Sequence, residues 1–491
     1  MTGRSESTGR STMWAVMGQG AGQGLSLLTF LVIARFVSKE NFGIVAVSLA
    51  TMECLRRVLI DPLASAVAAK PGVETRDFDV CITLSGIVSV VVTPCMVVFA
   101  PWIARLIGSP EAGPALRPIA LILLAFGLAG THGAWLVRRM HFRALALRSI
   151  ASVIIGGAVG IALALNGFEL WSLIFQQLTI NVVNVVVLWS ASDWRPRWIL
   201  SWRDTKRSFL GARHISFAAI WNALANDADI FFASAFFGPA VAGVYNAGKR
   251  IMLSATLVLV NTISAVTVPI LANIEHKHER SASFLAYLRL ASVATTPAFA
   301  GLAAAAPDLV AVILGPSWSA VAPILAGLAA GGYALSLGQF ATSALLVGQR
   351  SHLDSIVSAI AAISNIVIFF LAVHFGPTTL ALAASMTAVL VTPIRMRFAL
   401  IHLNLHWRDI GYALLPSVVA SLAMAALIWG LHFVLPPAWS PMVRLVAVIA
   451  VGVGFYGLWL RLFARTLFQM LVDIAAAQLG LRSRRQGIEP G

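Results

Sequence analysis

Glu53, Arg56, Arg57 and Asp61 stand at i, i+3, i+4 and i+8 inside an apolar stretch, 43–68, a spacing that puts all four on one side of an α-helix. Arg57 has a carboxylate four residues away in each direction. It can pair with Glu53 and with Asp61, which leaves Arg56 as the less neutralised cation. In the window 209–236, Asn222, Asn226 and Asp229 recur at helical spacing, with Asp227 turned to a neighbouring face. The next window, 241–272, carries Asn246, Lys249 and Arg250. Counted at about 1.5 Å per residue from the turn at Gly238 and Pro239, Asp229 and the Lys249/Arg250 pair lie at similar depth, about 10–15 Å in. Two roles are open for these acids: a salt bridge from Asp229 to the neighbouring helix, or an exchangeable charge at Asp227 or Asp229 for a coupling H⁺ or Na⁺.

Ionisable groups are expensive inside a bilayer unless they face a partner or a wet cavity. The structural reading of Glu53, Arg56, Arg57 and Asp61 is a ladder that satisfies itself. The functional reading starts from Lys249 and Arg250, which face two acids at most and leave a cation in excess. Arginine's planar fork suits phosphate oxygens and lysine adds a point charge, so Arg56, Arg57, Lys249 and Arg250 are candidate contacts for an anionic substrate. A cation exporter would need acids without matching bases.

The run GQGAGQG (18–24) has the glycines of a phosphate loop but no strand before it and no Lys-Ser/Thr after it. Gly18 with Gly22 and Gly20 with Gly24 make small-xxx-small pairs suited to close helix packing, while Gln19 and Gln23 offer one polar stripe on a cavity-lining helix. His276 and His278 are two residues apart and do not face together on a helix, so no metal site is expected. Cys54, Cys81 and Cys95 form no disulfide framework. No nucleophile-and-base constellation stands in a loop large enough to hold an acceptor, which argues against an enzyme.

The elements that position these residues follow from composition. Of 491 residues 59% are hydrophobic and 11% charged, with a mean hydropathy of +0.85. Soluble domains carry roughly 25% charge, so this is an integral membrane protein. Windows long enough to cross a bilayer fall at 14–36, 43–68, 79–100, 116–137, 146–166, 168–190, 209–236, 241–272, 284–306, 319–348, 354–374, 377–400, 411–435 and 441–463. The expectation is an all-α polytopic protein of about fourteen transmembrane helices. The net charge of +15 gathers on one side of these spans, at Lys70, Arg76, Arg138, Arg139, Arg143, Arg148, Arg195, Arg197 and their counterparts further on. Only Arg35, Lys39, Arg105, Arg117 and Arg444 fall on the other. By the positive-inside rule both termini are cytoplasmic, and most of the charge sets topology rather than binding nucleic acid. The start, 1–13, reads as a polar cytoplasmic tail without a signal peptide. Trp194, Trp198 and Trp202 read as an interfacial belt. Leu467, Met470, Leu471, Ile474 and Leu481, followed by Arg482, Arg484 and Arg485, read as a helix on the inner membrane surface.

An internal repeat organises the chain. ARFVSKENFGIVAVS (34–48) aligns without gaps on SAFFGPAVAGVYNAG (234–248), pairing Phe36 with Phe236 and Gly43 with Gly243. A second echo pairs 101–118 with 307–323. Six helices return the chain to its starting side, so 14–200 and 201–405 should be parallel six-helix copies around a central cavity. The segment 406–463 then holds two extra helices, and 464–491 a basic tail.

NALANDADIFFASAFFGPAVAGVYNAGKRI (222–251), RRMHFRALALRSIASVIIGGAVGIALALNGFELWSLIFQQ (138–177) and ARFVSKENFGIVAV (34–47) resemble the polysaccharide transporter family of lipid-linked oligosaccharide flippases, within the superfamily that also includes multidrug exporters. The resemblance implies an alternating-access protein that turns an undecaprenyl-pyrophosphate-linked repeat unit from the inner to the outer leaflet of the bacterial inner membrane. Exopolysaccharide, capsule or lipopolysaccharide assembly would follow, with a polymerase and export machinery as partners. The family's basic cavity residues are matched in kind by Arg56, Arg57, Lys249 and Arg250. Two other classes stay open: a cation-coupled small-molecule exporter, in which the acids of 209–236 matter and the cations do not, and a non-transporting scaffold of a glycan synthesis complex, in which neither matters. Reporter fusions after Pro196 and after Ser440 are expected to report opposite sides of the membrane; both on one side would break the orientation and the parallel repeat together.

Overall fold

A computed structural model describes residues 18, 20–69, 72–274, 276–347, 351–436, 438–465 and 469. The polar start, Gln19 and the apolar residues of the expected surface helix, Leu467 to Leu481, lie outside them. The described residues are helical almost throughout and group into fourteen segments. They are α1 (Gly20–Ile33), α2 (Lys39–Leu55, Arg56–Ile60 and Asp61–Ala69), α3 (Thr75–Leu106), α4 (Gly113–Ile119 and Ile122–Arg138), α5 (Phe142–Leu165), α6 (Glu169–Ala191), α7 (Trp202–Phe237), α8 (Pro239–Asn273), α9 (Lys277–Ala304 and Ala306–Ile313), α10 (Val321–Val347), α11 (Ser351–Ala372), α12 (Pro377–Leu403), α13 (Trp407–Val434) and α14 (Pro441–Phe463). Among the described residues eight helices are long and apolar enough to cross a membrane on length and composition, or ten if each of two bent pairs counts once. The segment α2 is not among them; it carries six charged residues, Lys39, Glu40, Glu53, Arg56, Arg57 and Asp61, and is divided by a π turn.

Capping and proline set the boundaries. The Ser38 and Ser440 hydroxyls accept from the backbone N–H groups of Asn41 and Val443, and Glu74 with Asp77 closes a capping box at the start of α3. Pro297 and Pro393 sit inside continuous helices. The sharp bends lie elsewhere, 48° within α4 and 77° between the two parts of α9, the latter just before Pro307, which has no N–H to continue the ladder. The second sequence echo has a shared backbone signature: Gly108 and Gly315 both take positive φ, +70° and +90°, and a 3-10 turn follows each.

Packing divides the chain into two compact units. The first comprises Met1–Ser254 and His352–Thr387, the second Ala255–Ser351 and Ala388–Gly491. In the second, α13 and α14 close on α9 through Val293, Met424, Ile428, Val448 and Tyr456, and the Tyr456 hydroxyl donates to the Val293 carbonyl at 3.0 Å. Asp308, 1% exposed, there accepts from Arg444 at 2.5 Å and lies 3.0 Å from His432 Nε2. The opposite stripe of α13, with Leu415, Leu422, Trp429 and Phe433 all more than half exposed, suits lipid.

In the first unit the segment 192–199 departs from the interfacial role its tryptophans suggest. Trp194 is 5% exposed and packs into a core with Phe78, Cys81, Trp135 and Leu188. The reason is hydrogen bonding: Asp79 accepts from both Trp194 Nε1 and the Arg197 N–H at 3.0 Å, and Thr83 Oγ1 accepts from the Ile199 N–H at 3.0 Å. These side chains satisfy an extended strand of chain that has no ladder of its own. Trp198 alone of the pair stays exposed. Asp193 accepts from Trp135 Nε1 at 2.8 Å and Arg139 at 2.5 Å, and these donors hold its carboxyl below the ordinary value.

The repeat-related glycines meet each other. A Cβ on Gly43 would lie 1.7 Å from the Pro239 carbonyl oxygen, and one on Gly243 would lie 2.0 Å from the Lys39 carbonyl oxygen. Lys39 and Pro239 are themselves equivalent in the alignment. The contact is therefore reciprocal, as at a twofold axis, and joins the first turns of α2 and α8 backbone to backbone. Gly18, two residues before α1, and Gly22 within it pack on Ala146 and Ser149 of α5, whereas Gly20 and Gly24 face open space. Gly43→Ala is expected to destabilise the detergent-solubilised protein by about 1–3 kcal/mol or more, since a backbone oxygen cannot rotate away. Gly24→Ala should leave thermal unfolding, followed by tryptophan fluorescence, unchanged.

Candidate functional site

The π turn at Arg56–Ile60 rearranges the first charged group. The Asp61 N–H donates to the Arg56 carbonyl, five residues back, so the turn is widened by one residue and the helix is underwound at this point. Arg56 is carried under both acids: Nη2 lies 2.6 Å from Glu53 Oε2, and Nη1 lies 2.8 Å from Asp61 Oδ2. Its guanidinium also covers the Phe126 ring at 5.1 Å. Arg57 is swung off that face toward α7, where its Nη1 meets Asp227 Oδ2 at 2.6 Å, while Glu53 is 3.9 Å away. The pairing expected from i,i+4 spacing is thus reversed. Arg56 is the doubly paired cation, and Asp227 belongs to Arg57.

The α7–α8 hairpin holds the second group. Asp229, 6% exposed, accepts from Lys249 Nζ at 2.7 Å, from the Tyr245 hydroxyl at 3.1 Å and from the Ile230 N–H at 2.9 Å. Of the two roles open for this acid, the bridge is the one whose geometry is present. Lys249 takes the whole of it. Arg250 instead reaches α1, donating to Ser26 Oγ at 2.6 Å and lying over the Phe30 ring at 4.9 Å. Asn226 is exposed and donates to the Asn222 carbonyl at 2.7 Å, Asn222 and Asn246 are half-buried on their helices, and Gln23 is half-buried on α1.

A cavity of about 590 Å³ opens in the first unit. Its walls come from α2, α4, α5 and α6: Glu53, Arg56, Asp61, Phe126, Arg148, Gln177, Asn181 and Asn184, with small residues such as Ala64, Gly130 and Gly133 making the space. Ala68, Val137, Arg148 and Leu188 lie at the end of α2, the end of α4, the start of α5 and the end of α6, which is one end of the bundle. The Gly43–Gly243 contact is at the other end of α2. Of the four candidate cations, Arg56 lines this cavity; Arg57, Lys249 and Arg250 do not.

Arg148 is the residue that sequence reasoning passed over. A basic residue near a span end reads as topogenic. Here its guanidinium lines the cavity, has no ion pair among the described residues, and keeps a buried Nε without a hydrogen-bond partner. Five donors in a fixed fork, one already desolvated, are poised for an anion with several oxygens.

An all-α, multi-pass membrane protein with a polar cavity at one end of a helix bundle is the class that fold and site define. The chain belongs to the polysaccharide biosynthesis protein family, whose sequence pattern it matches over residues 32–323. It is 29% identical over 326 residues to the succinoglycan biosynthesis transport protein ExoT of Rhizobium meliloti, an alignment that covers 65% of each chain, just under two thirds of that relative. It is 20% identical over 334 residues to the lipopolysaccharide biosynthesis protein WzxC of Escherichia coli, covering 67% of each. Among solved structures, the lipid II flippase MurJ in an inward closed conformation superposes with a TM-score of 0.76 at 15% identity, covering 93% of this chain and 99% of that one. An inward-facing multidrug transporter of the MATE family superposes at 0.61 and 14% identity, covering 79% and 98%. These two show the shared fold.

Double-mutant cycles test the pairing. Arg57→Gln with Asp227→Asn is expected to show a coupling energy of about 1–3 kcal/mol in thermal or chemical unfolding, and Arg57→Gln with Asp61→Asn a value within about 0.5 kcal/mol of additivity. In the buried pair, Asp229→Asn should cost about 3–5 kcal/mol by stranding Lys249, with Lys249→Gln in the same chain recovering part of the loss.

Proposed function

We propose that this chain is an alternating-access flippase that carries an undecaprenyl-pyrophosphate-linked oligosaccharide repeat unit across the bacterial inner membrane, for exopolysaccharide, capsule or lipopolysaccharide assembly. The observation that carries the reading is Arg148, a guanidinium without an ion-pair partner among the described residues, lining a cavity whose other cation, Arg56, is tied to two acids. Family membership and a relative named for succinoglycan transport support it. In this reading the diphosphate meets Arg148 first and competes with Asp61 for Arg56. Lys249 and Arg250 hold α8 in place. Both termini are cytoplasmic, so the cavity end of the bundle faces the cytoplasm, where the lipid-linked unit is made. A polymerase and export machinery would take the unit up on the far side.

The cation-exporter reading would need cavity acids free to take a cation, and Glu53 and Asp61 are both engaged by Arg56. A coupling H⁺ or Na⁺ would have to displace three donors at Asp229. We therefore read that carboxylate as structural.

In proteoliposomes loaded with lipid-linked oligosaccharide from polysaccharide-producing cells, Arg148→Gln should slow translocation by about 10-fold or more, the loss of one charge-assisted contact of about 1.5–3 kcal/mol. Arg148→Lys should recover only part of the rate, since lysine lacks the fork. Thermal stability should not fall in either variant. Full translocation by Arg148→Gln would overturn the assignment.

A further inference from the structure

Helix α6 is built the wrong way round for a helix that only needs to pack. Phe175, Val182 and Val186 on one stripe are exposed and suit lipid. On the other, Gln177, Asn181 and Asn184 recur at i, i+4 and i+7, one above another, and all three line the cavity. An amide in a membrane helix normally finds a partner on a neighbouring helix. These do not. Asn181 donates to the Gln177 backbone carbonyl at 2.9 Å, within its own helix, and its carbonyl oxygen has no donor among the described residues. Gln177 and Asn184 make no side-chain hydrogen bond among the described residues. Arg148 lines the same cavity, and small residues, Gly130, Gly133 and Ala134, stand where bulky side chains would otherwise fill the space.

We propose that Gln177, Asn181 and Asn184 form a sugar-reading wall: they hydrogen-bond the hydroxyl and acetamido groups of the first saccharide units, while Arg148 holds the diphosphate. The inference rests on the flippase reading and names the part of the substrate which that reading leaves unassigned. Its chemistry is specific. Each amide offers donors and an acceptor in a fixed plane and carries no charge, which suits neutral polyols whose hydroxyls both give and take. A sugar joined directly to a diphosphate must lie within a few ångströms of it, so a reader of the first sugar has to sit in the same cavity as the phosphate contact. The amide stripe is in that position. A cavity that presents unsatisfied amides also discriminates against a lipid lacking the matching hydroxyls, because its polar groups then stay unpaired.

The test is equilibrium binding of the full-length protein in detergent, read by tryptophan fluorescence. The probes are undecaprenyl pyrophosphate without sugar and its glucosyl, galactosyl and N-acetylglucosaminyl derivatives. Wild type should bind at least one sugar-bearing lipid about 10-fold tighter than the sugar-free lipid. The triple variant Gln177→Leu, Asn181→Leu, Asn184→Leu should lose that preference while its affinity for the sugar-free lipid changes less than about 2-fold. Arg148→Gln should weaken all four lipids together. If the triple variant proves unstable, the single variants Asn181→Leu and Asn184→Leu should each reduce the preference by several-fold. A wild type that binds all four lipids alike, or leucine variants that keep the preference, would overturn the sugar-reading wall and leave the flippase reading standing. Failure of wild type to bind any of the four would instead remove the reading on which it rests.

Discussion

A carboxylate cannot be left alone at bilayer depth, and in the first unit four carboxylates within α2 and α7 close on cations. Glu53 and Asp61 share Arg56, Asp227 takes Arg57, and Asp229 takes Lys249. These pairs do more than neutralise. Arg57 ties α2 to α7, and Lys249 ties α7 to α8, so two of the bridges span neighbouring helices where apolar side chains gain little by leaving lipid for protein. Arg250 extends the chain of polar contacts to Ser26 on α1. The positions of four helices therefore depend on charge compensation, and the cavity is the space left where the compensated groups turn inward.

The helices were legible because the bilayer demands about 20 apolar residues per crossing, and a run of that length survives any uncertainty about its ends. The contact between Gly43 and Gly243 left a trace in the sequence, because the two glycines align with their neighbours. Pairing was not legible. Glu53, Arg56, Arg57 and Asp61 sit at ideal helical offsets, but a π turn inserts one residue, and a rotation of about 100° per residue is enough to exchange the faces of two adjacent arginines. Trp194 misled for a related reason: aromatic residues beside arginines match an interfacial belt, and only Asp79 and Thr83, more than a hundred residues earlier, show that the segment is tied down.

Arg148 was hidden by a rule that is correct for its neighbours. Arg138, Arg139 and Arg143 also lie near span ends, and Arg139 pairs with Asp193 at the surface. Whether a basic residue within a turn of a span end points to headgroups or into a cavity is decided by rotation about the helix axis and by what stands opposite. In α5, Arg148 turns to a cavity that it lines together with Arg56 and the amide stripe of α6. Gln177, Asn181 and Asn184 left a trace in the sequence as polar residues at i, i+4 and i+7, but a polar stripe says only that one face is not for lipid.

The reciprocal contact of Gly43 and Gly243 has a consequence for the membrane as a whole. Protons cross proteins along files of water, and a file needs a crevice about one molecule wide. Where two helices meet with carbonyl oxygen against α-carbon and no side chain between them, there is no such crevice. In the orientation proposed above this seam lies at the end of the bundle away from the cytoplasm, opposite the end where the cavity opens. The two glycines would then leave water no path along this seam. A side chain on either one would part the two helices and open one.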